Sequence, residues 1–178
     1  MSSQKGQFMD MRRERLDAEL RELTALNARS SVLHISWMAG RPSEFDVVLR
    51  CPGLARVPNS EFPVELRMHR LRIQLSPDFP VDPPRLMWLT PIFHPNIAPP
   101  NICMGDHWYP GWSLAELCKS IVEMVRYQSF NVYDPLDREC AVWIERQLAE
   151  NGLDIPLDTS PIEDLVFDVA PKLKASDG

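Results

Sequence analysis

Four cysteines stand in this 178-residue chain, and their settings differ. Cys118 and Cys140 fall on the apolar faces of helical patterns, where a thiol packs as a small hydrophobe. Cys51 closes a strand pattern just before Pro52-Gly53. Cys103 falls in no apolar stripe. It lies between Pro99-Pro100-Asn101 and Gly105-Asp106-His107, and is the thiol placed for nucleophilic chemistry. Its loop holds Asp106 but no Lys or Arg, so the sequence offers no cation to hold a thiolate.

Two other chemistries use such a thiol. His94, Cys103, His107 and Cys118 suggest zinc, but their spacing matches no paired-ligand pattern and Cys118 faces a core, so no metal is expected. A thiol hydrolase needs an imidazole beside the sulfur. His107 and His94 are close in sequence, whereas a catalytic histidine is usually brought in from elsewhere in the fold, and His34 and His69 sit inside strand patterns.

The elements that must position Cys103 follow from periodicity. Residues 8–28 form a helix, with Met9, Leu16, Leu20, Leu23 and Leu26 near helical spacing. Strand patterns cover 32–40, 44–53, 65–76 and 85–90, the third with an irregularity near His69. Residues 91–112 show no period and are expected to be an irregular loop of functional length. Ser113 caps a helix running to about Arg126, with Glu116 completing a capping box. Another helix carries Leu136, Cys140, Trp143, Ile144 and Leu148 and stops at Asn151-Gly152. The expected fold is α+β: an N-terminal helix, a four-stranded antiparallel meander, a long active-site loop and C-terminal helices. Residues 1–152 form the domain. Residues 153–178 are an acidic extension whose segment 161–170 is either a short packed helix or a partly ordered stretch.

Composition bounds the partners. Hydrophobic residues are 44% and charged residues 25%, which fits a globular chain. Residues 1–100 carry 13 Lys and Arg against 11 Asp and Glu, a net +2. Residues 101–178 carry 6 against 14, a net −8. An acidic chain without clustered cations argues against nucleic acid. No apolar run approaches a membrane span, and the first twenty residues lack the apolar stretch of a secretory signal, so a cytoplasmic protein with reduced thiols is expected. Only four lysines occur: Lys5, Lys119, Lys172 and Lys174.

The ordered set Pro83-Pro84, His94-Pro95-Asn96, Cys103, Trp112-Ser113 and Asp134-Pro135-Leu136 resembles the ubiquitin-conjugating enzymes over roughly residues 8–150. The resemblance implies that Cys103 takes ubiquitin or a ubiquitin-like protein as a thioester from an activating enzyme and passes it to an amine, typically lysine, of a protein target. Asn96 matches an asparagine that stabilises the oxyanion or braces the active-site loop. Asp134 matches a carboxylate that orients the incoming lysine, and could equally cap the helix beginning near Pro135. His94, Pro95 and Trp112 match structural positions. Arg12, Arg13 and Arg15 lie on the helix that docks the activating enzyme in the family. No cofactor is implied, because ATP is spent by the activating enzyme.

The departures carry information too. The Asn96–Cys103 gap is one residue shorter than in eukaryotic members, and the stretch from Cys103 to Trp112 one longer. The segment 104–110 is most similar to bacterial homologues encoded in antiphage conjugation operons. Val81 stands where ligase-binding members carry an aromatic, so a RING- or HECT-type ligase lacks its anchor. A non-catalytic adapter of the same fold is the rival from another class, and inactive variants generally lack the cysteine.

Overall fold

The computed structural model describes residues 2–40, 43–60, 62–105 and 108–164. Asp106, His107 and the part of segment 161–170 beyond residue 164 lie outside the described residues. The first helix, α1, spans Ser2–Arg29. Its packed face begins at Leu16, with Leu23 and Leu26 fully buried, whereas Met9 is 64% exposed and takes no part. The helix stops where Ser30 Oγ accepts hydrogen bonds from the backbone N–H groups of Val32 and Leu33. That side chain offers the backbone an alternative to another helical turn.

Six strands follow: β1 (Leu33–Trp37), β2 (Glu44–Leu49), β3 (Gly53–Ala55), β4 (Val64–Leu66), β5 (His69–Gln74) and β6 (Arg85–Trp88). β1, β2, β5 and β6 make the antiparallel four-stranded sheet in that order. Strict alternation places Leu33 and Ile35, then Phe45, Val47 and Leu49, then Leu71 and Ile73 on the helix-covered face. The expected third strand, 65–76, splits instead into two. β4 leaves the sheet to pair with β3, and the alternation resets at His69, which is buried while Met68 faces solvent. Gly53 lets β3 pass close to this ring: a Cβ there would sit 2.7 Å from His69 Nε2 and from a Val125 methyl carbon.

The stretch 91–112 is less irregular than its composition implies. A hairpin of two-residue strands, β7 (Ile97–Ala98) and β8 (Asn101–Ile102), folds within it, and the Pro100 carbonyl accepts from Trp88 N–H of β6. Such short strands leave no period in a sequence. α2 (Leu114–Val125) starts at Ser113 with the full capping box, as the Ser113/Glu116 spacing predicts. α3 (Arg138–Glu150) ends with Asn151 in the left-handed conformation that a helix C-terminus favours.

Two apolar clusters result. One lies between the sheet, α1 and α2. A smaller one holds Leu54, Phe93, Tyr127, Cys140 and Ile144 beneath α3. Residues 153–164 fold back over the body: Leu153, Ile155 and Leu157 pack on the smaller cluster, and Ile162 on the larger one. Arg126, 1% exposed, pairs with Asp158 at 3.0 Å and donates to the Ser160 carbonyl. Glu163 pairs with both Arg29 and Lys119.

Candidate active site

The Cys103 loop runs along the seam between the two clusters, with Ile97, Ile102 and Met104 against the larger and Phe93 and Phe130 against the smaller. His94, Pro95 and Asn96 tie this loop to the segment 131–137. The Asn96 carbonyl accepts from Cys103 N–H at 2.9 Å. The Asn96 side chain, 4% exposed, pairs with the backbone of Asn131 in both directions: Nδ2 donates to the Asn131 carbonyl at 2.8 Å and Oδ1 accepts from its N–H at 2.7 Å. The Pro95 carbonyl accepts from the N–H groups of Leu136 and Asp137 at 2.8 and 3.0 Å. His94 Nδ1 accepts from Asn96 N–H at 3.1 Å. Three consecutive residues therefore fix both walls of one groove.

That groove, of about 210 Å³, is lined by Cys103, Asn96, Ser120, Asn131 and Asp134, with Met104, Met124 and Phe130 as apolar wall. Asp134 is exposed at its edge, and its helix-capping reading is corrected. The N-cap of α3 is Asp137, whose carboxylate accepts from Cys140 N–H at 2.9 Å. The Pro95 carbonyl holds residues 136 and 137 outside the helix, so α3 begins two residues later than the leucine pattern predicts. Asp134 is left pointing its backbone into no helix.

The other three cysteines are sealed. Burial pushes the Cys51 thiol up to about 11 and those of Cys118 and Cys140 up to about 12, which keeps them protonated. Cys103 is half-buried and free. Among the described residues no imidazole, lysine or arginine lines its groove. His94 is wholly buried and stacks on Tyr127 at 4.9 Å between centroids; desolvation drives its ring down to about 3, so it stays neutral. It cannot serve as a solvent-facing base. Nor do His94, Cys103 and Cys118 converge: no group of three metal-binding side chains exists among the described residues.

The arginines of α1 divide. Arg13 is exposed. Arg12 donates to the Ser76 carbonyl at 3.2 Å. Arg15 is engaged inside the molecule: it pairs with Glu19 at 2.7 Å and donates to the carbonyls of Pro110 and Trp112 at 2.9 and 2.7 Å. Glu19, 2% exposed, in turn accepts from Leu114 N–H at the start of α2. Burial raises the Glu19 carboxyl against the pull of Leu114 N–H and Arg15. Sequence reading missed this clasp, whose signal was the Arg15/Glu19 pair four residues apart on a helix. It also missed Tyr127, which takes a positive φ of 58° after α2 so that its hydroxyl reaches the Phe93 carbonyl beside His94. Trp112 is half-buried, and Trp108 stacks between it and Phe79 while its indole N–H donates to the Pro80 carbonyl.

Comparison with known proteins points to one family. A sequence model of the family described as "Ubiquitin-conjugating enzyme" matches residues 54–151. The chain is similar to Protein PEROXIN-4 of Arabidopsis thaliana, 32% identical over 38% of this chain and 46% of that protein. It is similar to Ubiquitin-conjugating enzyme E2 16 of Schizosaccharomyces pombe, 32% identical over 46% of this chain and 53% of that protein. Probable ubiquitin-conjugating enzyme E2 31 of Arabidopsis thaliana is 30% identical over 65% of this chain and 71% of that protein. The matched stretch is thus about half the length of the first two relatives. Residues 54–151, matched by the family model, contain the His94-Pro95-Asn96 clamp, Cys103, Trp112 and Asp134, and the chain belongs to the ubiquitin-conjugating enzyme family.

Proposed function

We propose that the protein carries a ubiquitin-like modifier as a thioester on Cys103. The thiolate attacks the thioester carbonyl of the modifier's C-terminus on an activating enzyme, and the activating enzyme's thiol leaves. A target amine in its neutral form then attacks the Cys103 thioester; a C–N bond forms, the C–S bond breaks, Cys103 departs as thiolate, and the proton lost by the amine nitrogen passes to water. The exchange between thiols is nearly balanced and needs no strong base, which suits a groove with no histidine among the described residues. Among the four cysteines, Cys103 alone is not buried, and that observation supports the reading most directly.

Asp134 orients the incoming lysine ammonium and takes up its charge as the amine is desolvated. Asn96 braces the loop; its amide is already paired with Asn131, and the second Nδ2 hydrogen is what remains for an oxyanion. Of Arg12, Arg13 and Arg15, it is Arg13, with the outer part of Arg12, that is left to meet an activating enzyme. Arg15 is the least available of the three. Val81 is 63% exposed and offers no aromatic anchor for a RING- or HECT-type ligase. The segment 104–110, together with the shortened Asn96–Cys103 connection, supports a bacterial, antiviral setting with an activating enzyme and a modifier encoded beside this chain.

The test combines the chain with ATP, the neighbouring activating enzyme and its modifier. A dithiothreitol-sensitive adduct, absent from Cys103→Ala, is expected. An adapter would form none, and a hydrolase would release the modifier free instead of retaining it. Asp134→Ala should charge normally yet discharge to free lysine slower by about 10²-fold, the low end of what a positioned carboxylate contributes.

A further inference from the structure

A second groove, of about 490 Å³, shares no lining residue with the Cys103 groove. Val142 and Trp143 of α3 form its apolar floor. Arg56, Arg138 and Arg146 stand around it with a single carboxylate, Glu139. Arg138, Val142 and Arg146 follow one another at four-residue steps, so they share one face of the helix. At a rise of about 1.5 Å per residue, the two arginines are about 12 Å apart along the axis. Arg56 is held over the Phe93 ring, 4.7 Å from its centroid, and satisfies Glu139 at 2.8 Å. Arg138 and Arg146 make no ion pair among the described residues, and Val142 between them is 51% exposed.

The groove lining carries three arginines against one glutamate, although α3 itself holds Glu139, Glu145 and Glu150 against Arg138 and Arg146. The segment 101–178 carries a net −8 from 6 basic and 14 acidic residues, yet two of those six basic residues flank one exposed valine. Unpaired guanidiniums around an apolar floor fit a ligand that is acidic at its ends and apolar in its middle. An extended chain advances about 3.3 Å per residue, so side chains at positions i and i+4 lie about 13 Å apart on the same face, with position i+2 between them. That matches the spacing of Arg138, Val142 and Arg146.

We propose that this face of α3 docks an extended acidic segment of a partner protein, with carboxylates at i and i+4 on Arg146 and Arg138 and an apolar side chain at i+2 on Val142 and Trp143. The docking is separate from the thioester chemistry and does not depend on it.

The test titrates the full chain into a fluorescein-labelled peptide containing Glu-Ser-Leu-Ser-Glu, read by fluorescence anisotropy at low salt. Saturable binding is expected. It should weaken about tenfold or more in the Arg138→Glu, Arg146→Glu double variant, and about as much when the leucine is replaced by serine. A Lys-Ser-Leu-Ser-Lys peptide should not bind. Both arginines are exposed, so the variant should unfold at the wild-type temperature and still form its thioester. Absence of saturation at millimolar peptide, or equal binding by the double variant, would overturn the proposal. So would a photo-crosslinker at position 142 that captures residues 165–178 of the isolated protein, because the groove would then belong to the chain's own C-terminus.

Discussion

At the scale of single residues, the site is built by one tripeptide that faces several ways. Asn96 receives Cys103 N–H on its carbonyl, and its side chain pairs with Asn131. Pro95 holds Leu136 and Asp137. His94 holds Asn96 from inside the core. A bracing asparagine and a purely oxyanion-stabilising one predict different things. Removing the Asn96 amide leaves an N–H and a C=O of Asn131 without partners, at roughly 1–3 kcal/mol each. Asn96→Ala should therefore lose about 2–4 kcal/mol in chemical denaturation, and the amides of residues 131–137 should exchange faster. Unchanged stability with a slower acyl transfer would assign Asn96 to the oxyanion alone. Cys103 was legible because it is the cysteine in no apolar stripe. The N-cap of α3 was not. Asp134 and Asp137 are equivalent candidates in sequence, and what selects Asp137 is the grip of Pro95, some forty residues upstream.

At the scale of elements, the meander was readable because β1, β2 and β5 each bury every second side chain. The break between β4 and β5 was visible as a phase slip at His69, but its meaning, a strand leaving the sheet to pair elsewhere, depends on β3. The hairpin β7–β8 was unreadable, since two residues carry no alternation. The link from α1 to the loop after Cys103 was also hidden, because Glu19 sits on a helix most of whose charged residues are exposed. Glu19 accepts from Leu114 N–H and anchors Arg15, which holds two carbonyls of the loop entering α2. Glu19→Ala would strand a buried N–H and release the arginine. A loss of about 2–4 kcal/mol is expected, with faster hydrogen exchange at residues 111–114. A variant as stable as wild type, with unchanged exchange there, would show that the clasp does not position this loop.

At the scale of the whole molecule, residues 153–164 of the acidic extension fold back onto the body. Asp158 and Glu163 return to Arg126, Arg29 and Lys119, pairings between distant segments that no local pattern reports. The interior also sets a pH response. His94 is held down to about 3 by burial, and burial lowers His69 as well. In the unfolded chain both would take up protons near pH 6.5. Between that value and the folded one, the unfolded state binds more protons, so stability falls as pH falls. The expected slope is up to about 1.4 kcal/mol per pH unit for each histidine. His94→Asn keeps an acceptor for Asn96 N–H and should flatten the slope between pH 6 and 4.5, whatever its effect at pH 7. Identical slopes by denaturant titration would contradict a neutral, buried His94.

The central claim concerns the sulfur of Cys103, and the atom-for-atom substitute tests it most directly. Cys103→Ser, incubated with ATP, the activating enzyme and the modifier, should yield an adduct that survives dithiothreitol, and tandem mass spectrometry should place the modifier's C-terminus on the oxygen of residue 103. An adduct mapped to any other residue, or a Cys103→Ser protein whose adduct is still cleaved by thiols, would contradict the account.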